Sequence, residues 1–70
     1  MIDSNDPDIV FIFTTRYGDR ISCKCQKTIQ YEYQVSFYIN DTFNRFESFS
    51  NIATYQQLKD IIVNYLNNWF

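Results

Sequence analysis

Two cysteines stand two residues apart, Cys23 and Cys25, in a 70-residue chain that contains no histidine. A Cys-x-Cys pair suggests redox or metal chemistry, but its setting argues against both. On a strand, positions i and i+2 share a face yet lie ~7 Å apart, too far for an unstrained disulfide. Zinc would need two more ligands of a kind the chain does not supply nearby. The expectation is a pair of small buried side chains beneath larger aromatic ones. A bridge or metal site shared between two copies is the competing reading.

The absence of histidine removes the commonest general base, the usual nucleophilic triads and the His-containing zinc sites. The single glycine, Gly18, cannot build either glycine-rich type of phosphate-cradling loop. Glu32 and Glu47, the only glutamates, fall in strand-like segments beside polar or aromatic neighbours. Neither catalysis nor a cofactor or metal is expected of such a chain.

The charges are distributed unevenly. The net charge is -2 and the pI about 4.7, which disfavours a general nucleic-acid binder relying on many phosphate contacts. Between residues 16 and 27, however, Arg16, Arg20, Lys24 and Lys27 face a single carboxylate, Asp19. With Tyr17 they could hold a nucleic-acid single strand, cations on phosphates and the ring on a base. The plainer reading is a solvated hairpin rim whose lysines discourage edge-to-edge strand pairing. The acidic groups Asp3, Asp6, Asp8, Glu32 and Glu47 could instead mimic a nucleic acid and block a partner's groove, if the fold gathers them.

The elements that must position these groups follow from the hydrophobic periods. Residues 1–8, MIDSNDPD, read as a loose arm, and 9–70 as one domain. DIVFIFTTR is a first strand, apolar at five consecutive positions. Gly18 marks the turn into ISCKCQ, where a three-residue loop at Tyr17, Gly18 and Asp19 puts Phe11 and Phe13 on the same face as Cys23 and Cys25. KTIQYEYQVSFYIN has Ile29, Tyr31, Tyr33, Val35, Phe37 and Ile39 at alternate positions, a ladder expected to face the core. After a two-residue turn at Asn40 and Asp41 comes FNRFESFS, whose phenylalanines recur every third residue. A flat strand cannot place all three on one side, so this strand must bulge or send rings to both faces.

The last segment changes period. Asn51 or Thr54 can cap a helix whose stripe is Tyr55, Leu58, Ile62, Tyr65, Leu66 and Trp69. Trp69 and Phe70 are expected to close the core, with a docking tail as the alternative. The whole is an α+β fold: a four-stranded antiparallel sheet in ββββα order with one C-terminal helix packed on one face. This element order is similar to that of small single-strand-binding domains of the whirly type, in outline only, and would imply single-stranded nucleic acid as ligand.

One sheet face would remain uncovered, carrying Val10, Ile12, Tyr38, Phe43 and Phe49. Tyr38, Phe43 and Phe49 could be supplementary core residues under a loop or bulge, or the anchors of an aromatic interface for a protein partner. The expected role is therefore a non-enzymatic protein-binding module, homodimeric through that face or through strand edges. The alternative is single-strand binding by Arg16, Tyr17, Arg20, Lys24 and Lys27. The abundance of Ile, Asn, Phe and Tyr fits AT-rich coding DNA, as in phages, other mobile elements and many cellular genomes; in a phage or mobile-element setting the module would be an inhibitor or modulator of a host protein. No segment is apolar enough to span a membrane or laid out as a signal peptide, so an intracellular, cytoplasmic location is the expectation.

Overall fold

The computed structural model describes residues 9–69; the arm expected at 1–8, and Phe70, lie outside the described residues. Four strands, β1 (Ile9–Thr14), β2 (Arg20–Ile29), β3 (Glu32–Ile39) and β4 (Thr42–Phe49), form one antiparallel sheet in sequence order. One helix among the described residues, α1 (Tyr55–Trp69), follows. This is the α+β, ββββα architecture that the periods predict.

The first connection is longer than expected. Thr14 pairs with Arg20, leaving a five-residue loop, Thr15 to Asp19, in place of three. The Thr15 hydroxyl sets its length by accepting hydrogen bonds from the Tyr17 and Asp19 amides, each at 3.2 Å, while Gly18 supplies the φ of 90° that closes it. Lengthening a hairpin loop by two preserves which side chains share a face. Phe11 and Phe13 therefore still join the cysteine layer, but Phe11 lies opposite Cys23 and Phe13 opposite Ile21.

The alternating ladder is interrupted. β2 runs on to Ile29 and the chain reverses at Gln30 and Tyr31, where Tyr31 takes a φ of 67° and the register shifts between Lys27 and Ile29. Ile29 and Tyr31, expected in the core, are thus exposed at the hairpin end. The Tyr31 carbonyl accepts a hydrogen bond from the Ile52 amide at 3.0 Å, which draws the β4–α1 connection under the sheet and buries Ile52. Tyr33, Val35, Phe37 and Ile39 keep their expected side.

At Asn40 and Asp41 the positive φ values, 51° and 70°, are those of the two-residue turn that matches strand twist. Asn40 also ties the turn to the neighbouring loop: its Oδ1 accepts from the Arg20 amide at 2.9 Å and its Nδ2 donates to Asp19 at 3.0 Å.

Thr54, not Asn51, caps α1. Its Oγ1 accepts from the Gln57 amide at 3.1 Å, and the Gln57 side-chain oxygen accepts in return from the amides of Thr54 (3.2 Å) and Ala53 (2.7 Å), a reciprocal capping box. The helix buries Leu58, Ile62 and Leu66 against Phe11, Ile21, Cys23, Cys25, Val35 and Phe37. Cys23 and Cys25 are small, buried side chains in the sheet's central layer. Tyr65 and Trp69 extend the core over Phe37, with ring centres at 5.0 and 5.6 Å.

Candidate docking face

Strand pairing aligns side chains on the face away from α1 into two rows crossing the whole sheet. One row runs Ile12, Ser22, Tyr38, Phe43; the next runs Val10, Lys24, Ser36, Phe46. Apolar residues therefore occupy both margins, β1 and β4, and polar ones the middle. The margins are open: Ile12 is 61% exposed, Phe46 57%, Phe43 52% and Val10 48%. Tyr38 and Phe43 meet edge to face with centres 5.6 Å apart, an arrangement that aromatic quadrupoles favour.

Lys24 stands at the centre, its ammonium 4.9 Å from the middle of the Tyr38 ring. A cation there is attracted by the electron-rich ring face. At one end of the sheet Arg20 pairs with Asp41, a solvated pair that contributes little to stability. Glu32 lies at the other end, where its carboxylate accepts from the Thr28 hydroxyl.

The expected face is thus largely in place, with one exchange. Phe49 pairs with Tyr33 and packs beneath the helix, its ring 5.7 Å from that of Tyr65. The cause is a register shift opposite Phe37 and Tyr38: Tyr38 pairs with Phe43 and Phe37 with Arg45, so Asn44 is an extra residue. Beyond that bulge Phe46 turns to the open side and Phe49 inward. The phenylalanine period of three was the signal for Phe46, because a single bulge lets Phe43 and Phe46 share a face.

The bulge also turns Arg45 and Glu47 toward α1. The Tyr65 hydroxyl donates to Glu47 Oε2 at 2.9 Å and accepts from Arg45 at 3.2 Å, while the Arg45 guanidinium lies 4.2 Å from the Trp69 ring centre. Charged side chains on a core-facing strand are thereby satisfied at the sheet margin.

The five residues of the basic hairpin do not form a track. Arg16 and Tyr17 share the loop tip, with the guanidinium 5.4 Å from the ring centre; Arg20 is paired with Asp41; Lys24 lies on the open face; Lys27 sits opposite Tyr33. The described glutamates are not gathered either, since Glu47 faces the helix and Glu32 the far end of β3, while Asp3, Asp6 and Asp8 lie outside the described residues. Burial pushes the Cys23 thiol up to about 12, with the neighbouring Cys25 adding to the effect, so it is a protonated core group at neutral pH.

Neither a protein-family model, nor a curated protein, nor a solved structure matches this chain. Among the described residues no helix is long and apolar enough to cross a membrane.

Proposed function

We propose that this chain is a small, non-enzymatic protein-binding module whose docking surface is the uncovered sheet face. The observation that carries the reading is the pair of exposed apolar margins, Val10 with Ile12 and Phe43 with Phe46, around a central lysine. An open apolar face of this kind is a common mark of an interface. Such a module modulates or inhibits its partner by occupying the surface that partner uses elsewhere.

Charge selects the partner's chemistry. Covering the face traps Lys24, and a trapped ammonium needs an opposing charge. The occupant is therefore a protein surface presenting aliphatic or aromatic side chains around a carboxylate. A second copy is a poorer fit: two-fold, face-to-face pairing brings two central Lys24 side chains toward each other. A nucleic-acid single strand would find rings on Tyr38, Phe43 and Phe46, but phosphate tracking calls for several cations and the face offers one at its centre.

Selection of a random peptide library on the immobilised full chain tests this, with a Phe43→Ser, Phe46→Ser double variant as counter-target. The expected binders combine apolar residues with Asp or Glu, and Lys24→Glu shifts the preference to Lys or Arg. Binders without acidic preference, or indifferent to the double change, would refute the reading. So would a dimer by light scattering that the double change dissociates, or salt-sensitive oligonucleotide binding lost in the same variant.

A further inference from the structure

On the helix side of the sheet, away from the docking face, a cavity of about 420 Å³ opens between the β1–β2 loop and the C-terminal half of α1. Its apolar walls come from both layers, Phe13 and Ile21 from the sheet and Val63 and Leu66 from the helix, while Thr14, Thr15, Tyr17 and Asn67 add polar groups at the loop and the helix end. Arg16 is the one charged residue among those lining it. We propose that this cavity binds a small organic monoanion: an apolar, preferably aromatic, body bearing one carboxylate that meets the Arg16 guanidinium.

Three observations converge. The volume lies within the ~300–1,000 Å³ of small-molecule sites, and the lining combines an apolar floor of Phe13, Ile21, Val63 and Leu66 with polar side chains grouped on the loop and at Asn67. The loop forming one wall is fixed in advance. Besides the two amides held by the Thr15 hydroxyl, the Thr15 amide donates to the Asp19 carbonyl at 2.9 Å and the Gly18 amide to the Thr15 carbonyl at 3.0 Å. A ligand entering there has little backbone to order, which favours affinity. Finally, Arg16 is exposed and forms no ion pair among the described residues, while its stacking near Tyr17 holds the guanidinium at the loop tip.

The anion's charge follows from the cation count. A guanidinium fork matches a carboxylate in two parallel hydrogen bonds. A phosphate monoester, with a charge nearer −2, would call for a second cation or a nest of amides. Val63, off the main helical stripe, thereby acquires a role as cavity wall.

Amide chemical-shift mapping by NMR on the full chain, titrated with 2-naphthoate and with its neutral counterpart 2-naphthylmethanol, is the test. Saturable shifts are expected at Thr15, Tyr17, Val63 and Asn67, with binding about tenfold weaker for the alcohol and for the Arg16→Gln variant, as loss of one charge-assisted contact implies. Val63→Trp should fill the cavity and abolish binding. Arg16→Gln, at an exposed position, provides a readout independent of any folding defect in that variant. Phe46→Ser should leave naphthoate binding unchanged, separating this site from the docking face. The proposal falls if no saturable shift appears at millimolar 2-naphthoate, if acid and alcohol bind equally, or if the shifts map to Tyr38, Phe43 and Phe46.

Discussion

Phe46 and Phe49 lie three residues apart on β4 and serve opposite faces of the sheet: Phe46 pairs with Ser36 on the uncovered side, Phe49 with Tyr33 beneath the helix. Serine at the two positions should therefore have opposite consequences. Phe46→Ser removes an exposed ring and should change stability by about 0.5 kcal/mol or less while abolishing docking. Phe49→Ser opens the packing against Tyr65 and should cost about 2–3 kcal/mol. Urea titration of both variants decides the matter, and equal losses would contradict the assigned sidedness.

Why Phe49 could not be placed from sequence is a matter of register. Period-two patterning gives the faces of a strand only up to the first bulge, and nothing in NDTFNRFES marks Asn44 as the extra residue. Local chemistry is legible where it dominates: Gly18 marks the first turn though not its length, the Asn40–Asp41 pair forms the two-residue turn, and the helical stripe places Leu58, Ile62 and Leu66 in the core. Ile29 and Tyr31 continue the ladder's alternation, yet they fall at a tight hairpin reversal that closes between Ile29 and Glu32 without a glycine to mark it. The cavity at Arg16 was not legible, because it depends on a five-residue loop whose length is fixed by the Thr15 hydroxyl.

The hydroxyl of Tyr65 joins two charges that the bulge turns inward. Tyr65→Phe keeps the ring on Phe37 but leaves the half-buried Glu47 carboxylate without this donor and Arg45 without this acceptor. A loss of about 1–2 kcal/mol is expected, the usual cost of stranding a partly buried polar group. Glu47→Gln combined with Tyr65→Phe should lose less than the two single losses added together. Strict additivity in this cycle would show that water already satisfies both groups.

At the start of α1, Thr54 and Gln57 satisfy each other's amides. Thr54→Ala should cost about 1 kcal/mol, and Gln57→Ala somewhat less because Ala is itself a good helix former. Since each side chain positions the other, the double variant should be less destabilised than the sum. The change should appear in urea midpoints with an unaltered slope, because fraying one helical turn exposes little surface. Replacing Asn51 with Ala is the control: it does not cap the helix, but its φ of 64° makes that substitution strained in its own right, so Asn51→Gly is the better choice.

Burial of Cys23 should make stability fall in alkaline solution. Its thiol is raised from the ordinary 9.0 to about 12 by desolvation, helped by Cys25. Below pH 9 the folded and unfolded chains both keep the proton and the group contributes no pH dependence. Between pH 9 and 12 the unfolded chain releases the proton while the folded chain retains it, so the unfolded state binds fewer protons and unfolding becomes easier as pH rises. The slope is about 1.4 kcal/mol per pH unit at full separation. The informative quantity is the difference between the parent and Cys23→Ala, which isolates the Cys23 contribution from every other pH effect. That variant carries a constant penalty for the lost side chain but lacks the Cys23 contribution to the slope. Urea titrations at intervals from pH 8 to 11, run in parallel on the two proteins, should show their stabilities converging as pH increases; a gap that stays constant would mean the Cys23 thiol ionises as readily in the folded protein as in the unfolded chain.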